Sequence, residues 1–183
     1  MDPNFKTIND QIRRIYASVV WTHKIQECCA DILTTRDKCF KTAQIVLSVL
    51  TTTGLLVTVF GEEKWVVIVS AILSAIAMFI NLYLKGNNLQ EQITRHAQAA
   101  HGYLALRAEY LSLLVDIKSG SLDMNGVVEK RDALQKRLNE MNDTAPRTFE
   151  RAVKHASKQL NQKHDSSYED EEIDSFLFGD LKY

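Results

Sequence analysis

The sequence predicts an all-α membrane protein: a two-helix transmembrane hairpin extended into a cytoplasmic helical bundle, with an acidic C-terminal tail. Three observations carry this. Only 7 Gly and 2 Pro occur among 183 residues, so little interrupts long helices. Two 20-residue runs, 42–61 and 65–84, contain no Asp, Glu, Lys, Arg or His. Outside those runs, apolar residues recur at alternating spacings of three and four.

Each run is long enough to cross a bilayer, since twenty helical residues rise roughly 30 Å. The first carries ten large aliphatic or Phe residues and the second eleven. At about −0.3 to −0.6 kcal/mol each, they favour insertion by about 3 to 6 kcal/mol per span before polar penalties. The alternative is a buried hairpin inside a soluble bundle. It would need enough amphipathic helix to wrap both runs, and the remaining segments are too few and too polar. Residues 1–10 contain Asp2, Lys6 and Asp10 and no apolar core, so no cleavable signal is expected.

Orientation follows from the cations nearest the spans. Lys24, Arg36, Lys38 and Lys41 precede the first and Lys85 and Arg95 follow the second, whereas Lys64 alone lies in the turn. This asymmetry places both termini of a multi-pass membrane protein in the cytoplasm. The expected order is a cytoplasmic amphipathic helix over 1–41, a span over 42–61, a short external turn at 62–64, a second span over 65–84, cytoplasmic helices over 85–162 and the tail over 163–183.

Asp2 and Pro3 suit an N-cap and first helical position. From there Phe5, Ile8, Ile12, Ile15 and Val19 form a seam that continues more weakly through Thr22, Gln26, Cys29 and Leu33. The matching seam after the second span is Leu89, Ile93, Ala97, Ala100, Leu104, Ala108, Leu111 and Val115. Gly86, Asn87 and Asn88 mark a candidate hinge between them. Ser119, Gly120, Ser121 and Asp123 end that helix. The next has Val127, Val128, Leu134, Leu138 and Met141 as its apolar face. After a break at 142–146, Thr144 is expected to cap a last helix over about 147–162.

The tail from Asp165 sums to −6 and the remainder of the chain to +5. Without a periodic apolar face it is expected to be disordered, although Phe176, Leu177 and Phe178 form a candidate partner-docking motif once acids have steered it to a basic surface.

No reaction centre is legible. The chain has no Gly-rich phosphate loop, no Cys pair at two-residue spacing and no Ser flanked by glycines. His23 and Glu27 share a helix face, but two ligands are too few for a metal; His96 and His101 point to different faces. Cys28, Cys29 and Cys39 read as packing residues, with acylation conceivable at Cys39. No metal and no cofactor are expected, the balanced charge argues against nucleic acid, and an enzyme is not expected.

Because the spans lack ionisable residues, proton pumps, charge-coupled carriers and voltage sensors fall in rank. The polar residues that remain are Ser48, Thr51, Thr52 and Thr58 on the first span and Ser70, Ser74 and Asn81 on the second. Hairpin geometry brings Thr52 to the level of Ser74, and Gln44 or Ile45 to that of Asn81. Two readings stay open: the stripes let the helices approach and hydrogen-bond, or they line a wetted pathway once several hairpins assemble.

The juxtamembrane segment 36–41, the short outer turn, a span opening at Trp65, the exit at 82–85, the His-containing helix around 91–103 and the Ala145–Pro146 dipeptide together resemble the SLATT family, the SMODS and SLOG-associating two-transmembrane effector domains. The resemblance runs from the N-terminus to about Gln162 and leaves the tail outside. It implies a bacterial conflict-system effector, working against phage, whose cytoplasmic helices receive a signal from a nucleotide-sensing or nucleotidyltransferase partner and whose homo-oligomers perforate or depolarise the membrane. It transfers no catalytic residues. The competing expectation is a membrane-anchored scaffold or subunit that recruits a partner and conducts nothing.

Overall fold

The computed structural model describes the backbone of residues 3–60 and 64–162 and the side chains of 5–54 and 65–160. Every regular element among them is α-helical: α1 (Pro3–Phe60), α2 (Lys64–Asn87), α3 (Leu89–Ser119), α4 (Met124–Thr144) and α5 (Glu150–Gln162). They divide into two compact units. One is formed by Met1–Cys29 with Arg95–Tyr183, the other by Ala30–Thr94.

The first unit has an ordinary apolar core. Ile12 and Val19 of α1, Tyr103, Leu106, Tyr110, Leu113 and Ile117 of α3, and Val127, Leu134 and Leu138 of α4 are buried together, with Phe5, Ile8 and Ile15 packed against them. On α3 the core face differs from the expected seam. Leu89 and Ala100 are buried as expected, but Leu104, Ala108, Leu111 and Val115 stay exposed. At 100° per residue this set stands opposite the buried tyrosine face. α3 is apolar on two sides, and the core takes the side with the larger aromatic and branched side chains, which bury more area.

Helix ends follow local chemistry. Gly120, at φ +69°, closes α3: its N–H donates to the Ile117 carbonyl at 3.3 Å and that of Ser121 to the Asp116 carbonyl at 3.1 Å. Asp123 caps α4, its Oδ1 accepting from the Gly126 N–H at 3.0 Å. Asp123→Ala is expected to cost about 1 kcal/mol in chemical denaturation, with Asp123→Asn costing a few tenths.

The expected helix start near Arg147 is corrected. Thr144 is the last residue of α4, and its hydroxyl turns back to the Glu140 and Met141 carbonyls at 3.1 and 3.2 Å. Ala145 has the extended backbone that a following proline imposes. α5 begins at Glu150, after the Phe149 carbonyl has accepted from the Ala152 and Val153 N–H groups at 3.0 and 3.2 Å. Its Ala152 and Ala156 are fully buried, which lets its backbone approach closely.

The second unit is built the other way round. Its large apolar side chains face outward, Phe79 at 69 %, Ile45 at 66 % and Leu82 at 61 % exposure among them. Among the described residues one helical stretch, starting at Trp65, is apolar enough to cross a membrane, and almost none of its most apolar window is buried. The apolar run of α1 continues past Gly54 into positions whose side chains lie outside the described residues. α1 and α2 lie side by side in this unit: the Gln44 amide donates to Asn81 Oδ1, and Gly54 sits against the Ser70 side chain.

Candidate functional site

Two places collect polar side chains in apolar surroundings, one in each unit. In the Ala30–Thr94 unit, Ser48, Thr51 and Thr52 of α1 and Ser74 and Asn81 of α2 line one shallow groove, floored in part by Ala77. Periodicity explains the convergence, since 48, 51 and 52 share a face of α1, as 74, 77 and 81 do of α2. Ser70 does not join them: it is buried against Gly54. The side chain of Thr58 lies outside the described residues.

The threonine hydroxyl protons in and beside the groove are committed. Thr51, Thr52 and Thr53 donate to the carbonyls of Leu47, Ser48 and Val49 at 2.8, 2.9 and 2.9 Å. Such back-bonding satisfies each hydroxyl within its own helix and leaves oxygen lone pairs toward the groove. Asn81 Oδ1 is occupied by Gln44. The groove therefore offers neutral polar groups, accepting threonine oxygens beside the Ser48, Ser74 and Asn81 side chains, and no charge.

One end of this unit carries a cluster that periodicity did not reveal. The Arg36 guanidinium donates to Tyr83 Oη and lies 5.8 Å from the Phe40 ring centroid and 5.4 Å from that of Tyr83, and those two rings are 5.2 Å apart. Lys41 pairs with Asp37 at 2.6 Å. Stacked Arg and aromatic side chains suit a boundary where an apolar layer meets water. The signal was present in the similar distances of Phe40 and Tyr83 from the turn at 62–64, 22 and 19 residues.

Of the three candidate hinge residues, Gly86 and Asn87 belong to α2, and Asn88, at φ +42°, separates it from α3. Asn tolerates that left-handed conformation better than other non-glycine residues. The Asn88 carbonyl accepts from the Glu91 and Gln92 N–H groups, and Gln92 Nε2 donates to the Asn87 carbonyl at 2.6 Å.

In the other unit, Gln26, 2 % exposed, joins three segments. Its Nε2 donates to the Pro146 carbonyl at 3.1 Å, and its Oε1 lies 2.6 Å from His96 Nδ1. A carbonyl only accepts, so the Pro146 oxygen fixes the amide orientation and requires the proton on His96 Nδ1. The His96 ring stands edge-on to Phe149. Burial alone lowers the His96 pKa below its ordinary value. His23 nearby is lowered chiefly by burial, against the raising effect of Glu27 and with Arg107, Lys24 and His101 adding to the lowering. The Cys28 thiol donates to Gln159 Oε1 at 3.6 Å, and burial pushes the Cys29 thiol up. This node was missed because Gln26 reads as a weak seam position and His96 as a surface histidine; only the folded return of Pro146 brings them together.

The His23–Glu27 pair stands at 4.0 Å, and among the described residues no three His, Cys, Asp or Glu side chains are placed to hold a metal. Phe176, Leu177 and Phe178 lie outside the described residues. No curated protein and no solved structure matches the chain. Residues 8–172 match the family model described as SMODS and SLOG-associating 2TM effector domain family 4. With outward-facing apolar helices in one unit and a packed helical core in the other, the chain belongs to the SLATT family of two-transmembrane effector domains.

Proposed function

We propose that this protein is a non-enzymatic membrane effector of a bacterial conflict system. In this reading the Ala30–Thr94 unit spans the inner membrane as a hairpin with both termini in the cytoplasm. Several copies then assemble into a pathway when the helices of the other unit receive a signal from a nucleotide-sensing or nucleotidyltransferase partner. The observation that carries the reading is the inverted unit: side chains such as Phe79, Ile45 and Ile68 are more than 60 % exposed. In water such a surface would drive aggregation; in lipid it is the stable arrangement. The Arg36–Phe40–Tyr83 cluster supports an interface at that level. Lys64 as the one cation of the turn supports the orientation.

The groove supplies the polar stripe. One hairpin cannot enclose a path, so conduction requires several copies with Ser48, Thr51, Ser74 and Asn81 turned inward. Asn88, with Gly86 and Asn87 before it, is the joint at which a cytoplasmic rearrangement would reach the spans. A scaffold that conducts nothing is favoured by one observation: Gln44 bonded to Asn81 uses polar groups for helix pairing rather than for water.

Reconstitution separates the two. Purified protein, triggered by its partner system in dye-loaded liposomes, is expected to release ions. Ser74→Leu and Asn81→Leu are expected to reduce leakage about tenfold, while Ile72→Leu on the outward face leaves it within twofold. Sealed vesicles holding inserted, oligomeric protein would establish the scaffold instead.

A further inference from the structure

Among the described residues, α3 leaves one apolar side exposed. Leu104, Leu111 and Val115 are 45, 48 and 58 % exposed and form one stripe with Ala108, diametrically opposite the fully buried Tyr103, Leu106 and Tyr110. We propose that the acidic C-terminal segment 174–180 of the same chain docks along this stripe, with Phe176 and Phe178 packed beside Ala108.

Charge selects this occupant. The two carboxylates of the C-terminal half of α3 are turned to α4, where Glu109 pairs with Arg137, and Asp116 with Lys130 at 2.9 Å. The edge of the stripe carries Arg107 and Lys118 and no acid. A parallel second copy would set these cations against their own duplicates. The segment 174–180 instead brackets its apolar triplet Phe176, Leu177 and Phe178 with Asp174 and Asp180, in a tail whose charge from Asp165 onward sums to −6.

Dimensions agree. In extended form Asp174 and Asp180 stand about 20 Å apart, against about 16 Å along the helix axis between Arg107 and Lys118. Phe176 and Phe178 then fall on one side, about 7 Å apart, close to the roughly 6 Å rise between Leu104 and Ala108 or Leu111 and Val115. The small Ala108 leaves the recess between the larger residues. Reach is ample: α5 ends at Gln162 in the same unit, and the twelve residues 163–174 can extend about 40 Å. The inference stands independently of whether the spans conduct.

Cross-linking the full-length protein in detergent micelles tests it. Leu111→Cys is introduced with Phe176→Cys or, separately, Phe178→Cys, together with Cys39→Ser, since Cys39 is the exposed native thiol. Mild oxidation and peptide mass mapping, with labelled and unlabelled chains mixed, then report the link. The expected result is a disulfide between position 111 and position 176 or 178 within one chain, at least tenfold above a control with cysteine at Glu129 in place of Leu111, and well above Leu177→Cys, whose side chain alternates to the far side of the segment. Arg107→Glu with Lys118→Glu should reduce the yield at least threefold, and Asp174→Lys with Asp180→Lys in that background should restore it. A link joining position 111 of two chains would overturn the proposal in favour of a second copy. A link between 111 and 176 or 178 of different chains, or a yield equal to the control, would overturn it outright.

Discussion

Acidification below pH 6.5 is expected to destabilise the unit that contains Gln26 and His96, by up to about 1.4 kcal/mol per pH unit for each of two buried histidines. The direction follows from proton counting. Burial lowers the pKa of both His96 and His23 in the folded chain. The unfolded chain, whose histidines titrate near 6.5, therefore binds more protons than the folded one as the pH falls. Stability is fully present above 6.5 and is lost as the pH drops through the lowered folded values. His96 is the cleaner probe, since burial alone shifts it, whereas Glu27 opposes the shift at His23. His96→Gln keeps an N–H for Gln26 Oε1 and removes one titration. Urea denaturation at pH 7, 6 and 5, followed by helical circular dichroism, should show the slope falling by about half in that variant. A slope identical in variant and parent would show that His96 does not carry it.

The two units were legible to different degrees, and the reason is physical. In the membrane reading proposed above, solvation makes its demand residue by residue, so the apolar runs 42–61 and 65–84 stand out in one pass, and their separation in sequence sets the level at which Gln44 meets Asn81. The core of the other unit answers to a weaker rule. α3 offers two apolar stripes at helical spacing, and choosing between Leu104–Leu111–Val115 and Tyr103–Leu106–Tyr110 requires knowing how many helices surround it. α1 and α4 cover one side, so the extrapolated seam failed from Leu104 onward. The Gln26 node was hidden for a related reason: its acceptor, the Pro146 carbonyl, is 120 residues away in sequence and belongs to a link that looked like a helix start. Thr144 and Pro146 carry signals that suit both a helix beginning and a helix end. The hydroxyl of Thr144, bonded back to Glu140 and Met141, decides for the end.

Gly54→Leu is expected to separate α1 from α2 and to abolish whatever the paired spans do, while Gly54→Ala is expected to be tolerated. A Cβ at Gly54 would run into Ser70 Oγ, but Ser70 Cβ would lie at an ordinary 3.6 Å. Rotation of one hydroxyl therefore accommodates Ala. Leu needs space that only movement of a backbone can create, and overpacking of that kind costs about 1 to 3 kcal/mol. In water a hydrophobic drive would compress the contact again; in the membrane setting proposed above that drive is missing, and close approach plus hydrogen bonds must hold the pair. Gln44 and Asn81 lie about 15 Å along the helices from this point, so splaying at Gly54 also strains their bond. A disulfide between Leu47→Cys and Ala77→Cys, both half-buried near the groove, reports the pairing. It should form at least tenfold less in Gly54→Leu than in Gly54→Ala, with liposome leakage falling in parallel. Leakage that survived loss of the disulfide would detach conduction from the α1–α2 contact and would move the pathway, if there is one, to the boundary between copies.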